Sequence, residues 1–130
     1  MKTSVAISLA NSIAYVQSQP TNRPVLFGFA CAINAGRLEA VTKAFEAGRQ
    51  RLLDDHAKTD VEGKRLEVEG RVELADEQAF AAAFAALAES EVAVDLQKVP
   101  LAMIGETIEP GILVGLLPMI EDSAQTKEAA

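Results

Sequence analysis

The stretch from Pro24 to His56 limits the fold more than any other part of the chain. Read at three-four spacing, it gives Phe27, Cys31, Asn34, Leu38, Val41, Phe45, Gly48 and Leu52, a mostly apolar seam along one side of a helix. Ile33, Ala40, Ala44 and Ala47 form a neighbouring apolar stripe, while Glu39, Thr42, Lys43, Glu46, Arg49 and Gln50 fall elsewhere on the wheel. Strands do not run this long. Pro24 suits a first-turn position, where its missing N–H costs nothing. At about 1.5 Å per residue such a helix exceeds about 40 Å, whereas a small domain is about 30 Å across. One end must therefore project or meet a partner.

A chain of 130 residues, 49 % of them hydrophobic, is long enough for one domain with a core that needs no metal or disulfide. The expected domain spans residues 1–122, followed by a polar tail over 123–130. Alanine supplies much of the apolar fraction, and there is no Trp and one Tyr, so a thin core of aliphatics and the five Phe is expected. Cys31, alone, reads as a small buried hydrophobe that fits a reducing compartment. The net charge of −7 and the scattered basic residues exclude a phosphate backbone as partner. Val5 to Ala10 begins like a secretory signal, but Ser8, Asn11 and Ser12 interrupt it and only Lys2 precedes it, so no signal peptide is expected. No uninterrupted apolar run reaches the ~18 residues of a membrane span, and no membrane partner is expected.

Ser4 is a plausible N-cap for a first helix over residues 4–18, with Val5, Leu9, Ile13 and Val16 at helical spacing. The loop through Pro20 and Pro24 is short, so this helix should fold back on the long one as a helical hairpin. Gly28, Ala30, Ala32, Ala35 and Gly36 would let backbones approach closely there. Asp54 to Asp60 is a charged run that ends the long helix. From Arg65 to Leu74 the pattern alternates strictly, the mark of a half-exposed strand, in which Gly70 signals either a bulge or a turn that makes it a hairpin. Asp76 caps a third helix running to about Glu89, with Phe80, Ala83, Phe84, Leu87 and Ala88 on its apolar face. Val92, Val94 and Leu96 alternate as a second strand that pairs with the first as one possibility. Glu109-Pro110 opens a final helix that Pro118 kinks or ends. The fold class is therefore α+β, mainly helical: an N-terminal helical hairpin with one long central helix, a small antiparallel β element and two further helices.

Residues with catalytic or metal-binding chemistry are sparse. His56 lies near Asp54, Asp55 and Asp60, but consecutive helical residues point apart, and a histidine at a helix C-terminus is welcome as a cation. There is no phosphate-binding glycine loop and no C-x-x-C pair. Neither an enzyme, a cofactor nor a metal site is expected. What remains is surface. Ile112, Leu113, Leu116, Leu117, Met119 and Ile120 are too apolar to lie open in water, and either pack on the long helix or form a patch for a partner. The projecting end of the rod, Glu46 to Asp55 with Arg37, Arg49 and Arg51, is a second candidate. Glu67, Glu69 and Glu73 would share one strand face that could take a cation or a basic partner, although such a face is more often the solvated side of a sheet. Association is expected in either case, with a homo-oligomer the simplest outcome.

The order of motifs resembles that of a group of small uncharacterised proteins encoded by tailed bacteriophages and prophages. It is carried by Arg23-Pro24-Val25, Phe45-Glu46-Ala47-Gly48-Arg49-Gln50-Arg51-Leu52-Leu53, a charged turn ending in Gly63, Asp76-Glu77-Gln78-Ala79-Phe80, Glu91-Val92-Ala93-Val94-Asp95 and Ile108-Glu109-Pro110-Gly111-Ile112-Leu113, across about residues 23–122. Glu109 stands where a Ser or Thr cap would be more usual. The resemblance implies a phage or prophage origin and transfers no catalytic residue. The function expected from it is a non-enzymatic protein acting by protein–protein contact, in the virion (tail or head–tail region) or during assembly, and located in the virion or host cytoplasm. The alternatives are an acidic inhibitor of a host or defence protein and a binder of a small molecule or nucleotide.

Overall fold

The computed structural model describes residues 1–19, 23–104 and 108–121. Helix α1 spans Thr3–Ser18 and helix α2 spans Val25–His56. A two-stranded antiparallel hairpin follows, β1 Glu67–Val68 and β2 Arg71–Val72, then α3 Glu77–Glu89 and α4 Pro110–Leu116. Short 3-10 turns cover Leu101–Met103 and Leu117–Met119. The mainly helical α+β architecture expected from the sequence is the one observed. The polar tail expected after residue 122 lies outside the described residues.

The seam of α2 divides into two halves. Phe27, Cys31, Asn34 and Leu38 are buried, whereas Val41, Phe45, Gly48 and Leu52 are only half-buried. The core gathers around the first half, where Ala6, Leu9, Ile13 and Val16 of α1 meet α2, and where Leu116 and Met119 close over α1. Phe27 is the only Phe in that core. Phe45, Phe80 and Phe84 pack on one another farther along the rod, with Phe45 edge-on to Phe84 at 5.7 Å between centroids. No residue of α3 is fully buried. At about 48 Å, α2 outreaches its own core.

Several local signals hold. Asp76 Oδ1 accepts from the Ala79 amide at 3.0 Å, the reciprocal of an N-cap's preference for a short acceptor side chain. Pro110 occupies the first turn of α4, and the α-helix gives way to 3-10 geometry before Pro118, whose ring and missing N–H oppose an α-helical bond. Ser4 is not the cap of α1. The helix begins one residue earlier because Thr3 is tied across the molecule: its amide and hydroxyl both donate to the Ser90 carbonyl, at 2.8 and 2.9 Å.

Residues 91–99 correct a second expectation. Val92, Val94 and Leu96 do alternate inward, but they pair with no strand of the hairpin. The segment is an extended strap along the helices. One end is held by Met1, whose amino group donates to the Val92 carbonyl at 3.0 Å. The other end is held where the Val99 amide donates to the Met119 carbonyl at 3.0 Å. In between, Asn34 uses both ends of its amide on the Gln97 backbone, accepting at 2.7 Å and donating at 2.9 Å. Its alternation is a response to packing against a helix face, not to a sheet.

The hairpin settles the choice left open at Gly70. Val68 pairs with Arg71, and Glu69 (φ 52°) and Gly70 (φ 79°) form a two-residue turn with both residues left-handed, the type I′ geometry. Asn is favoured over Glu at its first position. Replacing Glu69 by Asn should therefore stabilise the hairpin by about 0.5–1 kcal/mol, read as slower amide exchange at Glu73, whose amide donates to the Leu66 carbonyl across the hairpin.

Candidate interaction surfaces

The two-residue turn dismantles the expected carboxylate face. Glu67 pairs with Val72, so Glu67 and Val72 share one side of the hairpin. The Glu73 amide donates to the Leu66 carbonyl at 2.8 Å, which places Glu73 beside Leu66 on the other side, and Glu69 sits in the turn itself. A straight strand would have aligned the three; a hairpin separates them. Glu67 is also already engaged, 3.4 Å from Arg65. Arg65 reaches Asp54 at 2.9 Å and Gln50 at 3.2 Å as well, which docks the hairpin on the end of α2.

The C-terminal apolar segment is mostly spent on the core. Leu116 and Met119 are completely buried, and Ile112, Leu113 and Ile120 pack half-buried against the same cluster. Gly115 lies against Ser12 where α4 meets α1, with no room for a side chain between the two helices, and this seats Leu116 and Met119 in the core. Leu117 (53 % exposed) remains on the surface, joined by Val114 (64 %), which the sequence reading had not singled out.

A larger exposed apolar surface lies at the start of α2. Val25 is 85 % exposed, Leu26 63 % and Phe29 56 %. Gly28, Ala32 and Gly36 are exposed on the same helix, and a Cβ built at either glycine would meet only open space. The close approach expected of the small residues is therefore not made at Gly28, Ala32 and Gly36, whereas Ala30 is buried in the core and Ala35 packs against it. The glycines that are closely approached are Gly48, where a Cβ would stand 3.1 Å from a Leu87 methyl, and Gly115. Only 28 % of the most apolar 18-residue window of α2 is buried, although by length and composition alone it could cross a membrane. The signal was present in the sequence as Val25-Leu26-Phe27-Gly28-Phe29, apolar on every side of a helix that has a core on only one.

His56, Asp55, Glu46 and Cys31 are each engaged locally or buried. His56 packs edge-on to Phe80 with centroids 6.1 Å apart, and Asp55 lies 3.8 Å from Arg51. Among the described residues no three of His, Cys, Asp and Glu converge. Glu46 is held by a two-pronged bond from Arg49, at 2.7 and 3.0 Å, and a third from Gln50. These bonds hold its carboxyl down at about 2. Burial pushes the Cys31 thiol up to about 11, against a smaller opposing pull from Arg23. Cys31 should therefore react with a disulfide reagent at pH 8 at least a hundredfold more slowly in the native protein than in denaturant, followed as thiol release.

Compared with protein-family models, curated proteins and solved structures, the chain matches none.

Proposed function

We propose that this is a non-enzymatic phage or prophage protein that acts through protein–protein contact, as a component of the virion's tail or head–tail region or of its assembly. The observation that carries the contact reading is the exposed surface of Val25, Leu26 and Phe29 on a helix longer than its own core. Burying apolar area returns about 25 cal/mol per Å², so three large side chains held in water on a rigid helix are a standing gain for any surface that covers them. The phage origin rests on the resemblance in motif order. The partner surface is moved from the C-terminal segment to the start of α2, with Val114 and Leu117 as a smaller second patch.

Mass spectrometry of purified particles, beside a tagged pull-down from infected cells, tests the reading. A virion or assembly component appears in particles, or in complex with another phage protein, at a fixed symmetric copy number. Recovery with one host protein and absence from particles would replace it with a host-directed inhibitor. For that alternative the separated Glu67, Glu69 and Glu73 no longer offer a common acidic face.

A further inference from the structure

Among the described residues, Arg23 holds the one buried polar side-chain atom without a hydrogen-bond partner, its Nε. Nη1 donates to the Ile104 carbonyl at 3.1 Å, and the guanidinium carbon stands 6.0 Å from the centre of the Phe27 ring. The Nε–Nη2 edge, the side of arginine that grips a carboxylate with two parallel bonds, has no partner among the described residues. Arg23 lines a cleft of about 110 Å³ between the end of α1 and the start of α4. Glu109 lines it too. Glu109 accepts from the Tyr15 hydroxyl at 3.4 Å and forms no ion pair among the described residues. Gln19 adds an amide, and Val16 and Ile112 add apolar wall.

Among the described residues, a cation and an anion thus border one small cleft without pairing with each other. A simple anion drawn to Arg23 would be repelled by Glu109, and a simple cation drawn to Glu109 would be repelled by Arg23. A molecule that carries both charges is attracted by both. We propose that this cleft binds a small zwitterion of the amino-acid class. Its carboxylate meets the guanidinium of Arg23, and its ammonium lies between Glu109 and the Tyr15 hydroxyl. Its carbon chain rests on Val16 and Ile112. The volume sets the size. A cavity of about 150 Å³ accepts benzene, so this one suits a skeleton of a few carbons.

Thermal unfolding and titration calorimetry of the full chain test it, with alanine, β-alanine and γ-aminobutyrate as zwitterions of increasing charge separation. Acetate and methylammonium at matched ionic strength carry one charge each. At least one zwitterion should raise Tm by about 4–7 °C at ten times its Kd, and neither single-charge ion should. The shift should vanish in Glu109→Gln, an exposed position whose side chain makes no cap bond, and in Arg23→Gln. The proposal is overturned if no zwitterion shifts Tm, if acetate does so equally, or if the shift survives Glu109→Gln.

Discussion

Asn34→Leu should lower stability by about 2–4 kcal/mol, although leucine is of similar size and more apolar. Asn34 is completely buried in the seam of α2, and its amide is matched to the Gln97 backbone as another strand would be. Leucine leaves that N–H and carbonyl without partners, at about 1–3 kcal/mol for each group that water cannot reach. Gln97 is exposed, so some of the cost is recovered by hydration, which places the estimate below the full sum. Urea unfolding gives the magnitude. Amide exchange gives the location, because the Gln97 amide should lose protection before the amides of α1 do. A loss below about 1 kcal/mol with Gln97 still protected would mean that the strap is held by Val92, Val94 and Leu96 alone.

Gly115→Val should cost as much or more, through overpacking. A Cβ at Gly115 would stand 3.0 Å from Ser12 Cβ and 3.4 Å from the Ser8 carbonyl oxygen, and would collide with the Ser12 hydroxyl. The hydroxyl can rotate; the Cβ and the backbone of α1 cannot yield without moving the helix. Overpacking of this kind costs about 1–3 kcal/mol for one added methyl and more for a branched side chain. Displacing α4 would also draw Leu116 and Met119 out of the core. Ser12→Gly should recover part of the loss in a Gly115→Ala background but not in the wild type, and this sign difference in a double-mutant cycle marks direct contact.

Most of the helical frame was legible because the signals are local. Asp76 before an apolar-periodic run, Pro110 after Glu109, and Pro118 two residues past Leu116 each act within one turn of helix. The seam of α2 was legible for the same reason, since its period is written in eight consecutive contacts of one face. Pairing was not legible. Alternation at Val92, Val94 and Leu96 records only that one side faces apolar material, and a helix surface satisfies that as well as a sheet does. The partner of that strap is a side chain, Asn34, which stood out as the one polar residue of an apolar seam but named no counterpart 63 residues away. At Gly70 the choice between bulge and turn depended on Glu69 adopting a left-handed conformation, which glutamate seldom signals.

The candidate surfaces illustrate the same division. Ile112 to Ile120 and Val25 to Phe29 are both too apolar for water, and composition alone ranks them equally. Gly115 decides between them: by lying against Ser12 it seats the first segment in the core. Val25, Leu26 and Phe29 stay largely exposed, because among the described residues the core covers only the other side of the helix.

The most direct measurement is the incorporation of a folded variant that cannot use this surface. Leu26→Glu with Phe29→Glu alters exposed side chains only, so circular dichroism and Tm should stay within about 1 kcal/mol of the wild type. Quantitative mass spectrometry of particles assembled with each form should find the wild type at a fixed symmetric copy number and the variant depleted at least tenfold. Equal incorporation of the two, or absence of the wild type from both particles and assembly complexes, would contradict the account.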